Sequence, residues 1–336
     1  MPGIHEEVIC VDETYTTIQN WETGRNGILS EVEKGKVKTG YAGDENISIG
    51  GSITTSDYYM WLTSEVDAEH DGRSNEVSSA GNARVEGSSN AGTLDIGDEY
   101  TRVDWMEFDC NISANSAFMS LAATTCTTHI HHNIIHNDHK GSGTSNMVLF
   151  FNDADITLYW YRNIMYGFGA GLWIYDCAAG TEVFNNTIFD NNECNDASRG
   201  GLQCDDANAT LQNNAGFDSL QLDFNEDAGT WDYNCSGDAS ATGDHSLASK
   251  TDTDNLTNPT DTWANTDLTI KVGAVDIDAG AGVNSDTAGW NSLPEAAVPV
   301  SDRSDTSLQN TVLWSMGADH FPVSTGVVIF RRRRSA

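Results

Sequence analysis

The sequence predicts an all-β fold, a single-stranded right-handed parallel β-helix with an N-terminal cap and an irregular C-terminal cap. Three observations lead to this prediction: a short phrase recurs along the chain, its copies have the composition of strands, and amphipathic helix patterns are almost absent. The length of 336 residues fits one large all-β domain, and nine Trp, ten Tyr and eleven Phe supply core material.

The phrase recurs four times between residues 100 and 218, as Ile130–Asn137, Tyr159–Tyr166, Val183–Asn191 and Leu211–Asp218. Anchored on one asparagine of each copy, the steps are 30, 23 and 27 residues. A weaker copy, Val103–Phe108, precedes them, and its Trp105 lies 28 residues before the first anchor, Asn133. Unequal steps of this size indicate coils of a β-helix with inserted loops, and not a helical repeat.

Each copy predicts short strands bounded by turns. Ile, Val, Phe, Tyr and Trp alternate or run together over four to eight positions, and Asn, Asp, Gly, Ser and Thr flank them. One such coil cannot bury its apolar face alone, so coils must stack. Asparagine tolerates the left-handed backbone of a sharp corner and its amide can bond to the next coil. The predicted asparagine ladder comprises Asn133, Asn163, Asn186 and Asn213.

The predicted segments are an N-terminal cap over residues 1–35, the parallel β-helix over 36–235, a C-terminal capping region over 236–322 and a basic tail over 323–336. In the first segment, Thr16 or Thr17 is expected to cap a short helix that buries Ile18 and Trp21. The seven cysteines are predicted to be mostly reduced and buried, with Cys177 and Cys204 in adjacent coils.

The charge excludes one class of partner. The chain has 50 Asp and Glu against 17 Lys and Arg, a net charge of −33. Nucleic acid would be repelled by the acidic body. The N-terminus lacks a secretory signal pattern and no apolar run reaches 18 residues, so synthesis in the cytoplasm without a Sec signal and without a membrane span is predicted.

The phrases Ile130–Asn137 and Val183–Asn191 resemble coils of the pectate-lyase-like superfamily of right-handed parallel β-helices. Tyr15–Gln19 is similar to the helical cap that begins many of these proteins. Asp276–Gly282 and Met316–Phe321 resemble the closing section of β-helix proteins from bacteria and their phages. The resemblance implies the fold more than the function, because the superfamily includes lyases, hydrolases, phage tailspikes, adhesins and purely structural proteins.

Two acidic pairs are candidate catalytic residues, Asp153 with Asp155 and Asp205 with Asp206, because glycoside hydrolysis needs two carboxyl groups. The segment Gly201–Asp206 resembles the paired-aspartate motif of polygalacturonases, although the Gly-His-Gly and Arg-Ile-Lys motifs of that family are absent from the chain. Chance neighbours among 50 acidic residues, solvated and without a catalytic role, are the alternative.

Candidate ligand-binding aromatics are Tyr159, Tyr161, Trp173 and Tyr175, which present rings for a sugar or a protein if they face outward and add to the core if they do not. Candidate metal ligands are His129 and His131 for zinc and Asp276 and Asp278 for calcium; the alternative is turn and strand residues without a metal. No cofactor other than calcium is predicted. The tail residues Arg331, Arg332, Arg333 and Arg334 are expected either to be solvated or to pair with an acidic partner, such as another copy of the chain.

The preferred functional prediction is a non-enzymatic structural or adhesive protein on a particle surface, specifically a phage virion component of the decoration, fibre or tailspike type. Its predicted partners are other structural subunits, copies of itself or a surface glycan, and its predicted location is a virion or an extracellular surface. The alternative is a polysaccharide lyase or glycoside hydrolase that acts on a surface or extracellular glycan.

Overall fold

A computed structural model describes residues 3–39, 41–65, 68, 83–87, 92–110, 112, 117–122, 125–137, 147–191, 200–232, 234–243, 246–252, 256–258 and 267–270. Over these residues the chain visits three parallel sheets in turn, and each strand pairs with the strand one coil earlier and one coil later. The predicted parallel β-helix is therefore confirmed.

Within the described residues, the first sheet has nine strands: Ile4–Ile9, Val32–Val37, Met60–Ser64, Tyr100–Asp104, Cys126–His131, Ile156–Tyr161, Glu182–Phe184, Thr210–Gln212 and Thr230–Asp232. The second sheet has eight over the same ranges: Ala42–Asp44, Arg84–Glu86, Glu107–Cys110, Ile134–Asn137, Ile164–Tyr166, Thr187–Phe189, Ala215–Phe217 and Cys235–Ser236. The third has seven that the structure describes: Ile47–Ile49, Leu94–Ile96, Ala117–Leu121, Met147–Asp153, Ala170–Cys177, Leu202–Cys204 and Phe224–Asn225.

Aligned columns of apolar side chains fill the interior. In the first sheet Val103 pairs with Ile130, Ile130 with Trp160, Trp160 with Val183 and Val183 with Leu211, and all five are buried in one core cluster. Because side chains alternate across a strand, the residues between these positions lie on the outer face of the sheet. The inner columns bury the apolar face that a single coil would expose.

A column of buried asparagines lies where the first sheet turns into the second. The Oδ1 atom of Asn163 accepts from both the backbone and side-chain amides of Asn133, at 3.1 Å each. Asn186 accepts from Asn163 in the same way, Asn214 from Asn186 and Asn234 from Asn214. Each of Asn163, Asn186, Asn214 and Asn234 bonds to the corner backbone of the preceding coil, because its oxygen accepts from an amide there and its nitrogen donates to a carbonyl oxygen there.

The ladder uses Asn214 and not Asn213, which corrects the predicted set at its fourth member. Asn213 lies one residue earlier, at φ 58°, and is equivalent to Asn185, Arg162, His132 and Trp105, which all have φ between 54° and 58°. Trp105 therefore matches His132 and not Asn133. The last two copies of the phrase both contain Asn-Asn, and the second asparagine of each pair is the ladder residue that bonds to the asparagine of the next coil.

The N-terminal segment begins with a strand of the β-helix itself, because Ile4–Ile9 pairs with Val32–Val37, and the predicted boundary at residue 35 falls inside this second strand. The short helix Ile18–Arg25 follows, and Thr17 caps it by accepting from the amide of Asn20. Ile18 and Trp21 are fully buried, as predicted. This helix is held in place partly by the Glu45 carboxylate, which accepts from the first two helical amides.

The chain continues beyond the last strand of the second sheet, and there Leu247 pairs with Cys235 in an isolated parallel β-bridge. Leu256–Asn258 and Asp267–Ile270 then form an antiparallel pair, and the basic tail lies outside the described residues. Six cysteines are buried free thiols, and Cys177 and Cys204 lie on paired strands; Cys194 lies outside the described residues. Over the described ranges, no helix has the length and apolar character needed to cross a membrane.

Candidate functional site

A row of side chains runs along the outer face of the third sheet. Phe150 pairs with Trp173, and Trp173 pairs with Gln203, so the three occupy one outward column while Leu149, Leu172 and Leu202 beside them face the core. Phe150 is 40% exposed and its ring centroid lies 4.8 Å from that of Trp173. Parallel strands are about 4.8 Å apart, so rings at paired positions form a continuous surface along the helix axis.

A β-bulge adds Tyr175 to this surface. Phe151 pairs with Ile174, but the next pair is Asn152 with Asp176, so Tyr175 is the extra residue. Tyr175 is 51% exposed on the same face as Trp173, two residues earlier, and the bulge places Asp176 beside it, away from the core. Bulges commonly redirect side chains next to binding sites. We call Phe150, Trp173 and Tyr175 the aromatic strip.

The Asp205 carboxylate holds the central ring of the strip in position. Its Oδ2 atom accepts from Trp173 Nε1 at 2.9 Å, and its Oδ1 atom accepts from Gln203 Nε2 at 3.1 Å. The indole therefore has a hydrogen-bonded edge and a partly exposed body. A fixed ring binds a flat partner with little loss of side-chain entropy.

Asp206 and Asp176 form a second acidic pair beside the strip. Asp206 accepts from the backbone amides of Cys177 at 2.9 Å and Asn208 at 2.7 Å. Burial raises the pKa of Asp206, but these hydrogen bonds outweigh burial, so its pKa is lowered. The hydrogen bond with Asp206 raises the pKa of Asp176, with smaller contributions from desolvation and from the charge of Asp206. The pKa values of the two carboxyl groups are therefore shifted in opposite directions.

The other predicted acidic pair is partly local. Asp153 Oδ1 accepts from the backbone amide of Asp155 at 3.0 Å, which is a turn-forming contact. Asp155 is exposed. Asp153 also contributes to the raised pKa of Asp176, so the structure brings Asp153, Asp176 and Asp206 to one edge of the third sheet.

The predicted residues on the first sheet have a different setting. His129 stacks on Tyr159 at 4.6 Å, His131 stacks on Tyr161 at 4.5 Å, and Tyr161 stacks on Phe184 at 4.8 Å between ring centroids. Tyr159 is half-buried, and the other four are buried. Desolvation, followed by the charge of Arg102, lowers the pKa of His129 well below its ordinary value, so this imidazole is neutral at pH 7.

A buried ion pair beside these rings was not predicted from the sequence. Arg102 donates from Nε at 2.8 Å and from NH2 at 2.7 Å to Asp104 Oδ2, and both side chains are fully buried. Trp61 donates to the other Asp104 oxygen at 3.2 Å and lies between Arg102 and Lys34, whose charges are 4.6 and 3.7 Å from its ring. The sequence feature that could have indicated this ion pair is the position of Arg102, which lies on the outer face of its strand and pairs with His129 of the next strand.

Metal ligation has no support in the part of the chain that the structure describes. There, no three or more His, Cys, Asp and Glu side chains are grouped so as to hold a metal ion. This covers His129 and His131. Asp276, Asp278 and the tail residues Arg331, Arg332, Arg333 and Arg334 lie outside the described residues.

No family model, curated protein or solved structure matches the chain. The parallel β-helix thus stands on its strand pairing alone. Membership of the pectate-lyase-like superfamily stays a prediction from the sequence.

Proposed function

We propose that this chain is a non-enzymatic adhesive β-helix, displayed on a particle surface such as that of a phage virion, and that it holds a glycan against the aromatic strip. The single observation that carries the proposal is the partly exposed aromatic strip, in which Phe150 and Trp173 are neighbours on adjacent coils and Tyr175 lies beside Trp173 on the same strand. Exposed aromatic side chains that share one surface are characteristic of binding sites.

The polar groups beside the strip support a glycan as the ligand. Gln203 and Asp205 border Trp173, and Asp176 borders Tyr175. Amide and carboxylate groups next to apolar rings suit a ligand that has both hydroxyl groups and apolar faces. The three rings extend over two adjacent strands, so more than one sugar unit can contact them.

Display on a particle is supported by the charge and the architecture. A net charge of −33 keeps particles apart in solution. Stacked parallel coils form a rigid rod that presents its sides to the solvent.

Replacement of the central ring tests the proposal. We expect Trp173→Ala to weaken glycan binding by at least roughly tenfold, because stacking area and the ordered indole are lost together. Titration calorimetry against neutral and charged surface polysaccharides measures the affinity. Ile53→Ala is the matched control, because Ile53 is an exposed apolar residue distant from Trp173 in the sequence. Equal binding by both variants would contradict the proposal.

The Asp176–Asp206 pair favours one second candidate, a glycoside hydrolase. A carboxyl group with a raised pKa beside an ionised one is the arrangement of a general acid and its partner. Glycosidases separate the two carboxyl groups by about 5–5.5 Å for retention or about 6.5–9.5 Å for inversion of the anomeric centre. The release of reducing or unsaturated ends from a polysaccharide panel, abolished by Asp206→Ala, would establish the enzyme and refute the non-enzymatic proposal.

A further inference from the structure

The aromatic strip lies in a distinctly acidic part of the surface. None of the described strands of the third sheet contains Lys or Arg. Asp205 is hydrogen-bonded to Trp173, Asp176 follows Tyr175 in the bulge, and Asp206 accepts from the backbone next to Asp176. The first sheet differs, because Lys34, Lys36 and Arg102 belong to its strands.

We infer that the ligand of the aromatic strip is a cationic glycan, a polymer of amino sugars whose protonated amino groups lie between the carboxylates of Asp176 and Asp206 and next to the rings of Trp173 and Tyr175. This inference rests on the proposed function and specifies its substrate class. In this inference the aromatic rings stack on the sugar rings, and the carboxylates bind the positively charged amino groups.

Charge complementarity selects this ligand over other glycans. Uronic acids and sulfated sugars would bring negative charge to a surface that already has three carboxyl groups beside the rings, and they would be repelled. A protonated amine offers up to three hydrogen-bond donors and one positive charge, so it can bind two neighbouring carboxylates at once.

The rings contribute to the same preference. A cation within about 6 Å of the face of a tryptophan or tyrosine ring is attracted to that face. Trp173 and Tyr175 lie nearly perpendicular to each other in an edge-to-face arrangement, with centroids 5.9 Å apart, so an amine beside the pair can approach a ring face. Phe150 extends the apolar surface toward the next sugar along the chain.

The test compares glucosamine oligomers with N-acetylglucosamine oligomers of equal length, because acetylation removes the charge and keeps the sugar ring. At a pH where the amines are protonated, we expect the intact protein to bind the glucosamine oligomer roughly tenfold more tightly by calorimetry. The preference is expected to shrink at high salt, because exposed charge pairs are screened.

Asp176→Asn is the diagnostic variant, and Asp57→Asn, an exposed aspartate on another part of the chain, is its matched control. The decisive quantity is the ratio of the two affinities, since a general structural defect would lower both equally. We expect the ratio to fall to near unity in Asp176→Asn and to stay unchanged in Asp57→Asn. Asp206→Asn provides the second variant if the first does not fold.

Three outcomes would overturn the inference, and they separate it from the proposed function. If the protein binds both oligomers equally and Trp173→Ala binds neither, the ligand is a glycan but its charge is not recognised, so the inference is refuted and the proposed function is not. No binding of these or any other glycan refutes both. Tighter binding of a tetra-arginine peptide than of the glucosamine oligomer assigns the surface to a basic protein segment, such as the sequence Arg331–Arg334 of another copy.

Discussion

At the scale of single residues, Asp223 is a buried carboxyl group near the end of the β-helix. Its Oδ1 atom accepts from the amide of Ser219, and its Oδ2 atom accepts from the amides of Gly237 and Asp238. Desolvation, together with the charge of Asp238, raises the pKa of Asp223 to about 6. Burial thus outweighs three hydrogen bonds that favour the charged form.

This raised pKa predicts a pH dependence of stability. The folded pKa lies above the unfolded value of about 3.9, so the contribution of Asp223 is fully present below that value and is lost as the pH rises through about 6. We expect the free energy of unfolding to fall from about pH 4 to about pH 7 by up to roughly 3 kcal/mol from this group. In Asp223→Asn this part of the pH dependence of the unfolding free energy should disappear. Urea-induced unfolding at about pH 4 and about pH 7 measures it.

Asp227→Asn, at an exposed position on the same end of the chain, is the control and should keep the wild-type slope. A slope unchanged by Asp223→Asn would show that this carboxyl group titrates at an ordinary pKa.

At the scale of structural elements, the asparagine ladder joins the coils at the corner between the first and second sheets. Asn186 is fully buried, accepts from the backbone of Asn163 and donates to the carbonyl oxygens of Trp160 and Phe184. The preceding Asn185 is equally buried at φ 57°, but its side-chain amide makes no hydrogen bond within the described residues. Neighbouring asparagines therefore have different roles.

This difference predicts opposite outcomes for neighbouring substitutions. We expect Asn186→Ala to lower the free energy of unfolding by about 3–5 kcal/mol, because it leaves buried donors and acceptors of two coils without partners. Asn185→Gly should change it by about 1 kcal/mol or less, since glycine adopts positive φ readily and no hydrogen bond is lost. Urea-induced unfolding measures both variants, and equal losses would show that the corner backbone, not the ladder, determines the cost.

At the scale of the whole molecule, repulsion among the acidic side chains opposes the stability that the packed coils provide. The parallel coils pack aligned apolar columns into one continuous core, whereas 50 acidic side chains on 336 residues repel one another. Mutual repulsion destabilises a compact state, and salt reduces it by shortening the screening length from about 30 Å at 0.01 M to about 3 Å at 1 M.

The midpoint of thermal unfolding should therefore rise by several degrees as sodium chloride increases from about 0.01 M to about 1 M. The same series near pH 4, where many carboxyl groups are protonated, should show a clearly smaller rise. Circular dichroism follows both transitions. A salt effect of equal size at the two pH values would mean that charge repulsion is not its cause.

Most of the fold could be predicted because it depends on local patterns. The recurring phrases indicate strands and turns wherever they occur, and Thr17, Ile18 and Trp21 carry the signature of a capped helix. The candidate site was predictable in part. Trp173, Tyr175, Asp205 and Asp206 were recognised by residue type, but their proximity to each other depends on the pairing of strands that are distant in sequence.

Composition and spacing specify short strands, corners and an apolar interior, and these local patterns are enough to predict stacked coils. The face that each residue occupies depends instead on contacts between coils. The bulge turns Asp176 away from the core on the same side as Tyr175, and inter-coil hydrogen bonds select Asn214 over Asn213. The physical reason is that side chains alternate with a period of two, so a shift of one residue reverses the face and only contacts with neighbouring coils determine the register.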